Sequence, residues 1–450
     1  MRDYTHSLLV AILAIAVTGG LRAEDASNST AAVPALTAVP SYPAANSPKD
    51  GPPAFASSGK KITLAQGYII GADLSSVPAS EDRGTTYMDK GQVMDILQIM
   101  KAHGFNYVRV RIFVDPTAAD GYDQRSGNGY CGLAETIKFA KRIKAAGMGF
   151  LLDFHYSDNW ADPGKQVKPL AWRDLAFPEL VKTVHDYTKD VVTKLKAAGA
   201  EPDMVQTGNE ITPGMLLPDG STKNWGQLAA LLKAGIAGVK EVDPKIIIML
   251  HIDKGGNNAV THAWVDGALS HGVEFDVLGE SCYSNTAWQG PITKQVANFA
   301  ELVKSYPKLY FINDEYGGSI RNADNDQIAN PGGRGQAATA SGVVLKKPAW
   351  STDGLDWSKR WANDMMFDLP NGRGLGAFSW EPTENGNQQT LFTNVNGQPT
   401  ANQEMYVFDA LAKKYANCIQ RAKWILERRS LQLAWFDQCA SPHCSLAFVP

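Results

Sequence analysis

Met204 to Gly214 reads MVQTGNEITPG, an apolar run that stops at Asn209 and Glu210, as a buried strand ending in a carboxylate would. Farther along, INDEYGG places a second acidic pair, Asp314 and Glu315, after the run Leu309 to Asn313. Cleaving a glycosidic bond takes two carboxyl groups, one protonated to assist the departing oxygen and one ionised. They stand roughly 5 Å apart when configuration is retained. Glu210 and Glu315 fit such a pair if both point inward from opposite sides of a barrel rim. Asp314 and Glu280 compete for the second place, since a one-residue slip of a strand exchanges the residue that faces inward.

Elements that position such residues recur along the chain. From Lys60 to about Tyr415 apolar runs alternate with amphipathic segments, which argues for parallel strands joined by helices. Strands are expected near Ile69 to Asp73, Asn106 to Ile112, Met148 to Phe154, Met204 to Gly208, Lys245 to His251, Phe275 to Gly279, Leu309 to Asn313 and Gly374 to Trp380. Helices are expected over Gln92 to His103, Leu133 to Ala146 and Glu179 to Ala198. Gly104, Gly147 and Gly199 follow them where a left-handed cap is wanted. Eight units without a glycine-rich phosphate loop after the first strand predict a closed (β/α)8 TIM barrel, an α/β fold whose chemistry sits at strand C-termini. Those ends are polar throughout: Asp73, Arg109 and Arg111, Asp153 with His155, Asn209 with Glu210, His251, Glu280, Asp314 with Glu315, and Trp380 with Glu381.

Outside the barrel the chain changes character. Arg2 and His6 precede the apolar run Leu8 to Val17, and Leu21-Arg22-Ala23 offers a small-residue cleavage site. Residues 1–23 therefore read as an export signal, too short to span a bilayer, and the expected location is extracellular or periplasmic. Residues 24–59 are an Ala/Ser/Pro-rich spacer with a weak glycosylation match at Asn28-Ser29-Thr30, and 60–416 form the catalytic unit. The tail over 417–450 has no clean periodicity and carries Cys418, Cys439 and Cys444, three of the five cysteines. A net charge of −3 with no dense basic stripe before that tail excludes an electrostatic case for nucleic acid or an anionic membrane. The loops Gly317 to Asp356 and Glu381 to Pro399 are long enough to be cleft walls.

Three blocks, DFHYSDNWADPGKQVKPLAW (Asp153 to Trp172), VQTGNEITPGMLLPDG (Val205 to Gly220) and GADLSSVP (Gly71 to Pro78), resemble motifs of glycoside hydrolase family 53, the arabinogalactan endo-β-1,4-galactanases. NYVRVRIFVDP (Asn106 to Pro116), FDVLG (Phe275 to Gly279) and FSWEP (Phe378 to Pro382) extend the likeness over roughly Gln66 to Tyr415. GESCYS departs from the family's usual Ser-Tyr-Tyr-Pro, though Tyr283 survives, and the segment after Glu315 departs as well. The resemblance implies a clan A barrel, retaining chemistry and no organic cofactor. It implies Glu210 as acid/base, Glu315 as nucleophile, and Asn209 as the residue holding the sugar 2-hydroxyl. The two pKa values must then be driven apart, Glu210 upward by its neighbour's charge and Glu315 downward by a cation, Arg109 or Arg111. Strand alternation is expected to turn only one of these arginines to the cleft.

Aromatic faces with planar polar groups bind sugars. Trp160, Trp172, Trp288, Trp380, Tyr156 and Tyr283 are of this kind, whereas Trp225, Trp357 and Trp361 read as packing residues. Asp73, Asp153, His155 and His251 complete the expected substrate-binding set, as hydroxyl partners or as residues orienting the carboxylates. A metal reading of Asp153, His155 and Asp158 lacks a second ligand cluster, so no catalytic metal is expected, and a structural calcium ion in the eighth loop stays open. The expected partner is β-1,4-galactan, met by a secreted monomer. The alternatives are a related barrel β-glycanase such as a mannanase, or a catalytically inactive glycan-binding barrel.

Overall fold

A computed structural model describes residues 59, 61–283, 289, 292–317, 336–338, 344–346, 358–383 and 391–417. The export signal over 1–23, nearly all of the spacer, Asn28-Ser29-Thr30, Trp288, Trp357, most of both long loops, the calcium question, and Cys418, Cys439 and Cys444 with the tail lie outside the described residues.

The eight strands are β1 (Ile69–Asp73), β2 (Tyr107–Ile112), β3 (Gly149–Phe154), β4 (Met204–Thr207), β5 (Ile247–Ile252), β6 (Val277–Ser281), β7 (Tyr310–Tyr316) and β8 (Gly374–Ser379). They run parallel in sequential order, and β1 closes the barrel against β8. Each expected strand is present, the first with the expected bounds and the others with an end displaced by up to three residues, as strand boundaries read from periodicity would be.

Side chains alternate along a strand, so one parity faces the barrel interior and the other the surrounding helices. Inward, Ile69, Tyr107, Leu151, Met204, Met249, Val277, Ile312 and Phe378 form a closed apolar layer. Outward, Ile70, Val108, Phe150, Leu152, Val205, Ile248, Leu250 and Phe311 pack under the helices. Gly71 lets the interior close, since a Cβ there would lie 2.3 Å from the Phe378 ring.

The helical layer follows from 3.6-residue spacing. Helix α1 spans Ile96–Ala102, α2 Leu133–Ala145, α3 Phe177–Ala197, α4 Trp225–Val242, α5 Asn258–Ser270, α6 Ile292–Ser305 and α7 Ser358–Phe367. In α3, Leu180, Val184, Val191, Val192 and Leu195 line one buried face, each aliphatic side chain contributing about 1.5–3 kcal/mol on full burial. Gly104, Gly147 and Gly199 hold φ of 88°, 69° and 71°, the left-handed caps that stop α1, α2 and α3.

The expected helix over Gln92 to His103 is corrected. Gln92–Met94 instead pairs antiparallel with Tyr87–Asp89, and α1 starts only after Asp95, whose Oδ1 accepts from the Leu97 and Gln98 amides. An N-cap aspartate outranks a continued turn through the β-branched Val93. The hairpin Phe392–Val395 with Gln398–Ala401 adds to the same small sheet through Thr400 and Met88, so that part of the eighth loop is tied to the loop after β1.

Candidate active site

Two residues beyond the apolar layer, or four in β1 and β6 where Gly71 and Gly279 intervene, the inward parity turns polar: Asp73, Arg109, Asp153, Gln206, His251, Ser281 and Asp314 are all buried. Arg109 is their hub. Its Nη1 meets Asp73 at 2.9 Å, its Nη2 meets Asp153 at 2.9 Å and Glu315 at 3.0 Å, and its Nε lies 3.3 Å from Asp314. Nη2 also donates to Asn209 Oδ1 at 2.8 Å. One guanidinium thus serves four carboxyl groups in a site shielded from water, where separate ionised carboxylates would be costly to bury.

The expectation that one arginine alone faces inward is corrected. Residues two apart share a face, and both Arg109 and Arg111 are 1% exposed on the inner side. Arg111 sits one step higher: its Nη1 meets Glu381 at 2.5 Å and its guanidinium lies 4.1 Å from the Trp160 ring centre. Glu381, at the end of β8, is its counter-ion.

Glu210 occupies a left-handed backbone conformation, φ 47°, two residues past Gly208. Non-glycine residues there carry of order 1–3 kcal/mol of strain. The turn is held by Gln166, whose Nε2 donates to Asn209 O at 2.8 Å, and by the Ile211 amide donating to His251 O at 2.9 Å. Ser281 Oγ donates to Glu210 Oε1 at 2.6 Å. Burial and the charge of Glu315 push the Glu210 carboxyl well above the usual range.

Glu315 reaches the site through a bulge. Glu280 pairs with Asn313 but Ser281 pairs with Glu315, so Asp314 is an extra residue in β7. Asn313 turns outward to donate to Ala362 O in α7, and Asp314 and Glu315 both turn inward. The either/or choice between them disappears. Glu315 receives Arg109 on Oε1 and the Tyr283 hydroxyl on Oε2 at 3.0 Å, whereas Asp314 lies deeper, 1% exposed. The expected downward shift of Glu315 is also corrected. Burial outweighs Arg109, whose charge is divided among other carboxylates, and pushes Glu315 up to about 7. Because the Glu315 charge raises Glu210, Glu315 ionises first. Glu280 lies on the opposite face of β6, bonded to Thr261 and Asn298, and burial pushes it up to about 8.

Glu210, Glu315, Tyr283 and Trp380 line one cavity of about 520 Å³, with Asp253, Lys254, Gln289 and Pro163 completing its described wall. The remaining expected binding residues lie below or beside it. Asp73, Asp153, His155 and His251 are at most 2% exposed. His155 spends Nε2 on Asp153 at 3.0 Å and Nδ1 on the Ala161 amide at 3.0 Å. Arg109 and His155 draw Asp153 below the carboxylate range against its burial. Asp73 and Asp153 contact Arg109, His155 contacts Asp153 and His251 contacts Ser281, and none of the four is among the described residues that line the cavity. Asn209 uses Oδ1 on Arg109 and one Nδ2 proton on Ala161 O, which leaves the second Nδ2 proton.

Two aromatic expectations fail. Tyr156 and Trp172 pack against Tyr187 of α3, with the Tyr156 hydroxyl on Thr188, because Tyr156 continues the outward face of β3. Trp160 stands beside the site, 6.4 Å from the Trp380 ring, with Arg111 over one of its faces. Trp225 packs on Trp264, and Trp361 is buried, as read. Sequence reasoning missed Ser281, Gln206, Asp253 and Lys254. Ser281 and Gln206 had a findable signal, since each lies two residues beyond an inward position of its strand.

Among the described residues, His251, Asp314 and Glu315 are the group whose ligand atoms come within 4.8 Å of one another. Arg109 already supplies the positive charge there, which disfavours a cation. Asp158, from the set considered for a metal, accepts from the Asp115 and Leu170 amides.

A family model described as glycosyl hydrolase family 53 matches residues 69–417. An endo-β-1,4-galactanase of Bacillus subtilis is 35% identical over 332 residues, 72% of each chain. An arabinogalactan endo-β-1,4-galactanase of Cellvibrio japonicus is 32% identical, covering 67% of this chain and 86% of that one. Among solved structures, the Ignisphaera aggregans GH53 catalytic domain superposes with a TM-score of 0.63 at 32% identity, covering 77% of this chain and 96% of that one. A structure from a study of two fungal β-1,4-galactanases gives 0.61 at 29% identity, with 75% and 98% covered.

Proposed function

The chain belongs to glycosyl hydrolase family 53, and from that premise we propose that it is a secreted endo-β-1,4-galactanase that cleaves pectic galactan with retention. The observation that carries this reading is the convergence of Glu210 from the end of β4 and Glu315 from β7 on one cavity. Glu315, the first of the two to ionise, is positioned by Arg109 and Tyr283 as the nucleophile. It attacks the anomeric carbon while Glu210 gives its proton to the departing glycosidic oxygen. Glu210 then takes a proton from the water that releases the sugar from Glu315. The two names among the relatives that specify galactan support the substrate, and the Trp380 face beside the carboxyl pair suits a pyranose.

Export rests on the leader over 1–23, and the catalytic unit over 60–416 agrees with the extent of the family match. No described helix is long and apolar enough to cross a membrane. The enzyme is proposed to act as a monomer without organic cofactor.

Product release from galactan, mannan and xylan, followed by NMR of the first anomer formed, tests the reading. Galactan is expected to be cut, with the β-anomer appearing first. Cleavage of mannan alone, or early α-anomer, would refute the substrate or the stereochemistry respectively.

A further inference from the structure

Asp253 and Lys254 stand in the cavity wall, and the mechanism above gives them no task. Both follow β5 directly, where the chain is clamped from two sides. Thr212, two residues past Glu210, donates its hydroxyl to Asp253 Oδ1 at 2.5 Å and accepts from the Asp253 amide at 3.1 Å. Gln289 Nε2 donates to Asp253 O at 3.1 Å, and Asn298 Nδ2 donates to Gly255 O at 3.0 Å. Asp253 is 4% exposed, so its carboxylate needs a counter-charge, and Lys254 Nζ donates to its Oδ2 at 2.5 Å. The lysine side chain is 20% exposed, whereas a lysine ammonium ordinarily reaches into water. Here it is held at the wall of the cavity that takes the sugar.

The pair belongs to the side of Glu210. Thr212 joins it to the turn that carries Glu210, and the Asp253 charge adds to the upward push of burial and Glu315 on that carboxyl. Glu315 is held instead by Arg109 and Tyr283. An acid/base must lie beside the oxygen it protonates, so the wall next to Glu210 faces the sugar that departs. Resting on the assignment of Glu210 as acid/base, we propose that Lys254, held in place by Asp253, is a specificity-determining residue that donates a hydrogen bond to a hydroxyl of the departing sugar. Among the described residues Asp253 takes one of the three ammonium hydrogens, which leaves two for ligand. Such a bond is charge-assisted, and the clamps on Asp253 remove in advance the rotamer freedom that a free lysine would lose on binding. Because Asp253 balances the ammonium, the pair carries no net charge and suits a neutral sugar rather than a uronate.

The test uses the full chain and two substrates, galactan and a dinitrophenyl β-galactobioside, whose leaving group is not a sugar and departs without a proton. Circular dichroism checks each variant for folding. Lys254→Met is expected to lower kcat/KM on galactan about tenfold, as loss of one charge-assisted hydrogen bond would, and to lose far less on the aryl substrate. Lys254→Arg, which keeps a cationic donor, should recover most of the loss on galactan. Equal losses on both substrates, or Lys254→Arg as impaired as Lys254→Met, would overturn the proposal. Lys254→Met also bares the Asp253 charge beside Glu210, so Asp253→Asn is combined with it. The double variant should keep the full loss on galactan; recovery would assign the effect to charge on Glu210 and overturn the sugar contact. If the wild type cuts mannan and not galactan, the substrate reading fails, and the same variants on mannan and an aryl mannobioside still decide the role of Lys254. A wild type that cuts no glycan would overturn both.

Discussion

The two halves of the barrel interior are built on the same strands and differ by two residues of register. The lower layer, Tyr107, Leu151, Met204 and Met249, is apolar, and the layer above it, Arg109, Asp153, Gln206 and His251, is polar and just as buried. Burial has opposite consequences in the two. Below, it removes hydrocarbon from water and stabilises the fold. Above, it raises Asp314 and Glu315 beside Arg109 and leaves them short of charge, which is the condition for holding one proton where it can be transferred.

That contrast can be broken by single substitutions. The largest effect is expected for Glu315→Gln: kcat on galactan should fall about a thousandfold or more, while chemical denaturation shows stability unchanged or raised. A stability loss matching the activity loss would mean the upper layer holds the fold together. Leu151→Ala should do the reverse, costing about 2–5 kcal/mol in a denaturant titration while the folded fraction keeps its kcat. Trp380→Ala, at the cavity wall, should raise KM about three- to tenfold, as expected for a lost stacking face, with kcat changed less. The smallest effect concerns pH. Glu315 is raised in the folded state to about 7, so its contribution favours folding when protonated and is lost as pH rises from the unfolded value of about 4.3 through 7. The Tm advantage of Glu315→Gln over wild type should therefore grow across that interval, and kcat/KM should fall below pH 7 as the nucleophile protonates. A Tm difference independent of pH would show that Glu315 is not raised by burial.

Much of the site was legible because a parallel barrel puts chemistry at strand ends. Glu210 is anchored by the GNE turn, whose left-handed residues are local features, and Arg109 and Arg111 follow from strand parity once two-residue spacing is applied correctly. Asp73, Asp153, His155 and His251 were found by type and position, with two tasks left open for them, meeting sugar hydroxyls or orienting the carboxylates. Whether a polar strand-end residue meets ligand or supports another side chain depends on its height in the barrel, and height is a matter of register between strands. Ser281 escaped notice because a serine carries no charge signal, and its importance lies in contacts with His251 and Glu210 from two other strands.

The sequence by itself determined the closed barrel, through eight alternations of apolar run and amphipathic helix, and it determined the family through the long block from Asp153 to Trp172. Periodicity and local motif are properties of neighbours along the chain, so they survive without coordinates. Only the tertiary structure decided that Asp314 and Glu315 both face inward, because the bulge in β7 exists only by reference to β6. Only it decided that Glu315 is raised rather than lowered, because that balance sets burial against one guanidinium divided among carboxyl groups from β1, β3 and β7. Each depends on groups far apart in sequence meeting at distances of about 3 Å, where Coulomb energies in a low dielectric are largest.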